Sequence, residues 1–545
     1  MSSINPKKKR LLFCNTGMLD FPNGAFRRSY SLATELAKQG MEVTFLTTLP
    51  VRRERMGLQR SEEREECKEL EGSIAATGSI SGKGVITGMR SLFPYYRERR
   101  DGMNVVAVPG IMPMKIRKFG YDPLAVFLRW MFAVLNRFDI VHGDGHRPAV
   151  MIPAITQRWL FGALYVSEWW DLYGKGGFFD TKRRAWKWTV GWLDNALESF
   201  VVRTSDRLIV VSEELRKRAE RIRAMRLKGG RMRSGGDRAG WKQFGWSQSA
   251  VLQRDILKLW GASDVKGIVY ERDSLKHRSE FGLPMNAVIL MGSGMSSEEL
   301  SASRSLFEVM DIINREGGVK DDGSPSVIFV NIDSGTTSTT YQVNFEETSR
   351  VDWKTSYIRN GIFKSIPCVR YSEYGRLLSC ADAFVLIQHN TLKNRSRWPN
   401  CVGDFMAAGR PILGNPIGEI EQFFHEFPHV SMYNSEVNRQ WLDSFNNPYI
   451  KMDWMDKFRE WVFNTMEIHG QDKPVSIDSE MLAKVENRNE NKIQHEEWWR
   501  DSLGDENDQF FLRDRIRKSS VEGFSWPVRI SDLMPLYMPV IRLKE

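Results

Sequence analysis

The sequence is poor in the residues that organise metal and disulfide chemistry. Its 545 residues include five cysteines and eight histidines. Cys14, Cys67, Cys368, Cys380 and Cys401 are odd in number, and no two have the spacing of a zinc-ligand pair. A disulfide framework and a structural zinc are therefore not expected, and a reduced, cytoplasmic compartment is. Long apolar runs are also missing. The longest, Leu124 to Leu135, is broken by Arg129, whereas a membrane span needs about 20 apolar residues. The N-terminal MSSINPKKKRLLFCN is basic without an extended apolar region, so it does not read as a signal peptide. No G-x-G-x-x-G is present: GSGMSS, Gly292 to Ser297, lacks the third glycine. A dinucleotide fingerprint is thus absent.

What is present is an ordinary folding composition, 41% hydrophobic and 27% charged, over a length that suits two domains. The net charge of +10 favours anionic partners such as phosphates, nucleotide-sugars or an acidic membrane. The basic run Arg216 to Arg233 has no interleaved aromatics, so a nucleic-acid partner is not expected. Lys9 to Asn15 reads as a buried strand, SYSLATELAKQG as a helix stopped by Gly40, and Met41 to Thr48 as the next strand. That order implies a parallel sheet. Further strands are expected at Asn104 to Pro109, Phe138 to Asp144, Ala163 to Trp169 and Arg207 to Ser212. Residues 52–101 read as an insertion or mobile loop, and residues 216–250 as irregular. A second set starts at Ala287 to Gly294 and continues through SVIFVNI, ADAFVLIQ and RPILGN. The expected domains are 1–275, 276–519 and a terminal helix over 520–545.

Four stretches carry candidate chemistry. Pro22-Asn23-Gly24-Ala25 lies between a strand and a helix, where backbone amides hold a phosphate or simply form a turn. DIVHGDGHRPA places Asp144 and His146 after a strand's carboxyl end, the edge at which open α/β sheets bind ligands. SEWWDLYGKGG sets Glu168 and Asp171 around Trp169, a combination that suits sugar hydroxyls and a stacking sugar ring. RSRWPNCVGDFMAAGRPILG sets Arg395 and Arg397 before a short helix beginning at Asp404. Amides of Asn400, Cys401 and Val402 are expected to face an anion there, with Arg397 beside it and Asp404 one turn in to hold a ribose diol.

Together with TSDRLIVVSEEL, YSEYGRLLSCADAFVL and FSWPVRISDLMPLY, these motifs resemble the family-4 glycosyltransferases of the GT-B fold. The resemblance implies two Rossmann-like doubly wound domains facing a cleft, with the terminal helix crossing back to the N-terminal one. It implies transfer of a sugar, with retention, from a nucleotide-sugar to a glycan, lipid-linked or protein-linked acceptor, and no metal or other cofactor. Asp404, Gly24, Ala25 and Gly292 take donor-side places, and Asp144 or His146 a place near the transferred sugar. The sequence departs from the family pattern in three ways. Ser396 stands where a first acid is usual, Cys401 where a lysine is common, and MGSGMSSEEL lacks the usual Arg and Lys. A non-catalytic partner subunit of the same fold, or a nucleotide-sugar epimerase, are therefore the alternatives. Finally, Asp180 to Val202 combines an apolar stripe (Trp186, Val190, Leu193, Leu197, Phe200) with Trp188, Trp192 and four early basic residues. Tryptophan with Lys/Arg suits a peripheral site on an anionic membrane face.

Overall fold

In the computed structural model the described residues are 8–19, 24–49, 95–178, 188, 191–229, 256–316, 325–333, 352–367, 369, 371–432, 458–459, 461–463, 465–466 and 506–537. The chain divides into two compact units. The first contains residues up to Gly261 together with Arg395–Trp398 and Trp526–Glu545. The second contains Ala262–Asn394 and Pro399–Ser525. The division falls ahead of residue 275 because residues 262–275 bind to the second unit. Ser263 donates from its amide to Phe524 O at 2.8 Å and from Oγ to Gly403 O at 2.7 Å.

Among the described residues the N-terminal unit has eight strands: β1 (Arg10–Met18), β2 (Glu42–Thr48), β3 (Tyr96–Arg100), β4 (Met103–Val108), β5 (Ile140–Gly143), β6 (Leu164–Trp169), β7 (Arg207–Val210) and β8 (Ile256–Lys258). Their order is β3-β4-β2-β1-β5-β6-β7-β8. All pairings are parallel except β3 with β4. That hairpin lies at the end of the stretch expected to be an insertion; residues 52–94 of it lie outside the described residues. Its turn is Asp101-Gly102, both at positive φ, the geometry that favours Asp-Gly between antiparallel strands.

Helix α1 (Gly24–Lys38) connects β1 to β2; α2 (Pro123–Leu135), α3 (Pro148–Phe161), α4 (Trp192–Thr204) and α5 (Glu213–Gly229) connect the later strands. Residues 216–229 of the stretch expected to be irregular are therefore α5, opened by Glu213 and Glu214 in its first turn, where acids complement the helix dipole; residues 230–250 lie outside the described residues. Right-handed crossovers put α2, α3 and α4 on one side of the sheet and α1 on the other. The terminal helix, Trp526–Tyr537, packs on α1. Leu12, Val106, Leu128, Val141, Val150, Ala154 and Tyr165 form the core beneath α2 and α3.

Arg129, the break in the apolar run, is fully buried. It donates to Asn15 O at 2.6 Å, Ala149 O at 3.2 Å and Thr48 Oγ1, so one side chain ties α2 to β1, β2 and α3.

Among the described residues the C-terminal unit has five parallel strands, β9 (Val288–Ser293), β10 (Val327–Ile332), β11 (Phe363–Ile366), β12 (Ala383–Leu386) and β13 (Ile412–Gly414), in the order β11-β10-β9-β12-β13. Its helices are α6 (Ser297–Ala302), α7 (Arg304–Glu316), α8 (Asp352–Arg359), α9 (Tyr371–Ser379), α10 (Cys401–Ala407), α11 (Glu419–Glu426) and α12 (Glu506–Gly523). Ser296 and Glu299 start α6 with a reciprocal capping box. Leu290, Phe307, Met310, Phe329, Phe363 and Val385 centre the core. Each such side chain contributes about 1.5–3 kcal/mol on burial.

Candidate active site

In the N-terminal unit β1 runs to β2 on one side, and β5 lies on the other side of β1. The strand order therefore reverses between β1 and β5, and ligands of open α/β sheets bind beyond the strand ends at such a point. The segment Asp144-Gly145-His146-Arg147 begins there, between β5 and α3.

Asp144 and His146 have different surroundings. The Asp144 carboxylate accepts from Asn15 Nδ2 (2.6 Å), Thr16 N (2.9 Å), Thr16 Oγ1 (2.6 Å) and Ser29 Oγ (3.1 Å). Burial raises its carboxyl above the usual range, and the Thr16 hydrogen bonds act against that rise. Asp144 thus binds the end of β1 to β5 and α1. His146 is nearly buried, with Nε2 3.0 Å from Asp194 Oδ1 on α4. Tyr121 Oη donates to the same oxygen at 2.6 Å, and Arg147 pairs with it as well. The Tyr173 ring lies 5.5 Å from the imidazole and 4.4 Å from the Arg147 guanidinium.

The acceptor-side set read from SEWWDLYGKGG is corrected in part by packing. Trp169 is 4% exposed, so its ring face is not open to a sugar, and its Nε1 donates to Glu198. Glu168 is 2% exposed. It accepts from Trp170 Nε1 at 2.6 Å and lies 3.1 Å from His142 Nε2 and 3.6 Å from Arg28. Burial alone would raise the Glu168 carboxyl; Arg28 and His142 outweigh it and hold it below the ordinary range. Of the three, Asp171 alone is half-buried rather than buried. The glycines that follow serve packing. A Cβ at Gly174 would meet Asn195 and Glu198, and one at Gly177 would meet Leu172 O.

Beside Glu168, His142 Nδ1 lies 2.5 Å from Tyr537 Oη, which joins the terminal helix to β5. Both residues are buried. Tyr537→Phe removes the hydroxyl and leaves His142 Nδ1 without its partner. The expected loss is about 1–3 kcal/mol, read from urea unfolding. A variant as stable as the wild type would show that the bond contributes nothing net.

Among the donor-side residues, Gly24 and Ala25 are the first residues of α1; Asn23 lies outside the described residues. Arg397 is half-buried in the N-terminal unit, next to Trp398, whose ring stacks on Trp260 at 5.0 Å. The tryptophan of RWPN is thus a core residue. The short helix starts at Cys401 rather than Asp404. Val402 donates its amide to Pro399 O at 3.1 Å, so that amide is not open to an anion. Asn400 is exposed, Cys401 half-buried, and Asp404 9% exposed. Gly403 is needed for packing, since a Cβ there would lie 2.9 Å from Ala262 O. Arg410, which follows this helix, is fully buried and donates to Ala381 O (2.7 Å), Ser379 O (2.8 Å) and Glu271 O (2.7 Å). It holds loop carbonyls rather than a ligand.

The C-terminal sheet reverses between β9 and β12. Gly292 and Ser293 end β9, and Gln388 and Asn394 follow β12. A Cβ at Gly292 would meet Met295 Sδ, so this glycine makes room for its own loop. Ser293 Oγ lies 2.9 Å from Tyr374 Oη. Gln388 Nε2, Asn394 Oδ1 and Asn331 Oδ1 are buried without a hydrogen-bond partner among the described residues. Buried amides are normally satisfied, so these three side chains have hydrogen-bonding capacity left over. The sequence signal, a polar QHNTLKN after an apolar strand, was present but had no recognised spacing.

No group of metal-binding side chains occurs among the described residues, and no helix among them is long and apolar enough to cross a membrane. Of Asp180 to Val202, only Trp188 and residues from 191 onward are described. Trp188 and Trp192 are 71% and 68% exposed.

Residues 23–228 match the model of a glycosyl transferase 4-like domain. The catalytic domain of starch synthase IV from Arabidopsis thaliana, bound to ADP and acarbose, is structurally similar. Its TM-score is 0.51 at 10% identity, over 97% of this chain and 99% of that one. HepE from Anabaena, in complex with UDP and glucose, has a TM-score of 0.44 at 10% identity, covering 97% and 99%. Sucrose-phosphate synthase from Thermosynechococcus elongatus has a TM-score of 0.47 at 10% identity, covering 97% and 98%. No curated protein sequence matches the chain.

Proposed function

On the premise that this chain is a family-4 glycosyltransferase of GT-B fold, we propose that it moves a hexose, with retention, from a nucleotide-sugar to a glycan or lipid-linked acceptor. The observation that carries this reading is His146 at the switch point of the matched domain, held by Asp194. His146 accepts a hydrogen bond from the acceptor hydroxyl, and Asp144 organises the loop around it. The donor nucleotide takes the C-terminal switch point, where Gln388 and Asn394 have hydrogen-bonding capacity to give. Asp404, on α10 of the same unit, holds the ribose. The sugar nucleotide is a substrate, and no metal is needed.

The test is a panel of UDP- and ADP-hexoses, assayed for nucleotide release with and without EDTA. Turnover is expected with one donor and is unaffected by EDTA. Asp404→Asn should raise the KM for that donor about tenfold or more, as expected for loss of a hydrogen bond to a charged group. Binding without turnover of any donor would favour the partner-subunit alternative. Conversion to an isomeric sugar nucleotide would favour the epimerase.

A second observation supports an acceptor at an anionic membrane. Large exposed apolar residues concentrate on the helices of one side of the N-terminal sheet: Phe127 and Trp130 on α2, Trp159 and Leu160 on α3, Trp192 and Leu193 on α4. Exposed Arg137, Arg203, Lys217 and Arg221 accompany them. Interfacial tryptophans with basic residues suit anionic headgroups, about 1 kcal/mol per basic side chain. Co-sedimentation is expected with phosphatidylserine vesicles and not with phosphatidylcholine vesicles. Trp192→Ala should weaken it about tenfold. Equal pelleting on both, or none at low salt, would leave a soluble acceptor.

A further inference from the structure

The pair His146–Asp194 has a directional consequence that reading His146 alone does not supply. An ionised carboxylate only accepts hydrogen bonds, and a neutral imidazole carries its proton on one nitrogen and a lone pair on the other. Asp194 is fully buried. Burial by itself raises its carboxyl, but the hydrogen bond from His146 and the charge of Arg147 bring it below the ordinary range, so it is ionised near neutrality. Its Oδ1 lies 3.0 Å from His146 Nε2. Nε2 must therefore carry the proton. The lone pair then lies on Nδ1, which has no hydrogen-bond partner among the described residues.

Tyr121 and Arg147 donate to the same Oδ1, so two donors besides His146 hold the carboxylate in place. The Tyr173 ring restricts rotation of the imidazole. Arg147 NH2 and Asp194 Oδ2 remain buried without hydrogen bonds, so the carboxylate faces no competing donor on its second oxygen.

We propose that Asp194 is the positioning residue of this site: it fixes His146 as the Nε2–H tautomer and so presents Nδ1 as the acceptor for the hydroxyl of the incoming substrate. This rests on the assignment of His146 to the acceptor side. It adds a residue on α4, 48 positions away, whose task is to choose which imidazole nitrogen is the acceptor. The principle is that the hydrogen bond made by one ring nitrogen sets the state of the other.

The experiment uses the full chain with 15N-labelled histidine. Long-range proton–nitrogen spectra distinguish the two tautomers, and His146→Ala assigns the signal. The wild type is expected to show His146 as Nε2–H. Asp194→Asn keeps the shape but can donate through its amide, so the Nδ1–H form should appear. Tyr121→Phe loosens the same cluster while leaving the carboxylate, and should keep Nε2–H. Turnover of UDP-glucose with water as acceptor supplies the second readout. In Asp194→Asn, kcat is expected to fall about 100-fold or more with donor KM unchanged. An unchanged tautomer in Asp194→Asn overturns the proposal, and so does full kcat in that variant while His146→Ala is inactive. Full activity in His146→Ala would remove the acceptor-side assignment itself, together with this extension. If UDP-glucose is not turned over at all, the tautomer measurement still decides whether Asp194 positions the ring.

Discussion

Asp382→Ala will destabilise the C-terminal unit by about 3–5 kcal/mol. Asp382 stands immediately before β12 and is 2% exposed. Its carboxylate accepts from Arg278 NH2 at 2.6 Å, Ser274 Oγ at 2.8 Å and the amide of Ile289, in β9, at 2.8 Å. Arg513, on α12, approaches at 3.5 Å. Arg278 is itself fully buried and donates to Ala287 O at 2.6 Å. Removing the acid leaves a buried guanidinium without its counter-charge, which is the expensive half of a buried ion pair. Calorimetry should show a transition lowered by about 10 °C, at about 2–4 °C per kcal/mol for a domain of this size. The double variant Arg278→Met/Asp382→Leu should recover part of the loss, because no unpaired charge remains. A single variant within 1 kcal/mol of wild type would mean that water or relaxation satisfies Arg278.

Arg129→Met is expected to destabilise the N-terminal unit by about 3–5 kcal/mol. Methionine fills much of the same volume but donates nothing. Asn15 O, Ala149 O and Thr48 Oγ1 are then left buried together, each at about 1–3 kcal/mol. Relief of guanidinium desolvation, which already pulls the Arg129 ionisation below its ordinary value, returns part of this. Arg129→Lys should recover only a fraction, since a single ammonium does not reproduce the planar fork. Because Asn15 also donates to Asp144, Arg129→Met should lower turnover as well as stability. Urea unfolding of the matched pair reads the first effect. Retention of wild-type stability by Arg129→Met would show that the three acceptors find other donors.

Local pattern was enough for much of this fold. β1, β2, β5, β7 and four strands of the second unit, β9, β10, β12 and β13, are short apolar runs ended by turn residues, and burial on both faces of a parallel sheet demands such runs; β11, FKSI, is half polar and was not read. The β3–β4 hairpin was missed and its first strand read as part of an insertion, because an edge strand exposes alternate side chains and YRERR is charged. Helix α5 was obscured for a related reason. A helix rich in arginine shows a weak apolar stripe, and its Arg216–Glu213 and Arg216–Glu220 pairs compensate locally.

By itself the sequence determined the two doubly wound units, the place of Asp144 and His146 at a strand end, and the resemblance that names the chemistry. Those features depend on near neighbours in the chain: periodicity, turn residues and the residues following a strand. Only the tertiary structure decided what the charged and aromatic side chains do. Asp144, Glu168 and Trp169 read as ligand-facing in one dimension, but partners from distant segments absorb them. Asp194, on α4, comes within 3.0 Å of His146 in the loop after β5. The reason is that a hydrogen bond or buried ion pair depends on separations of about 3 Å, which sequence spacing does not specify once a helix and a strand lie between the partners.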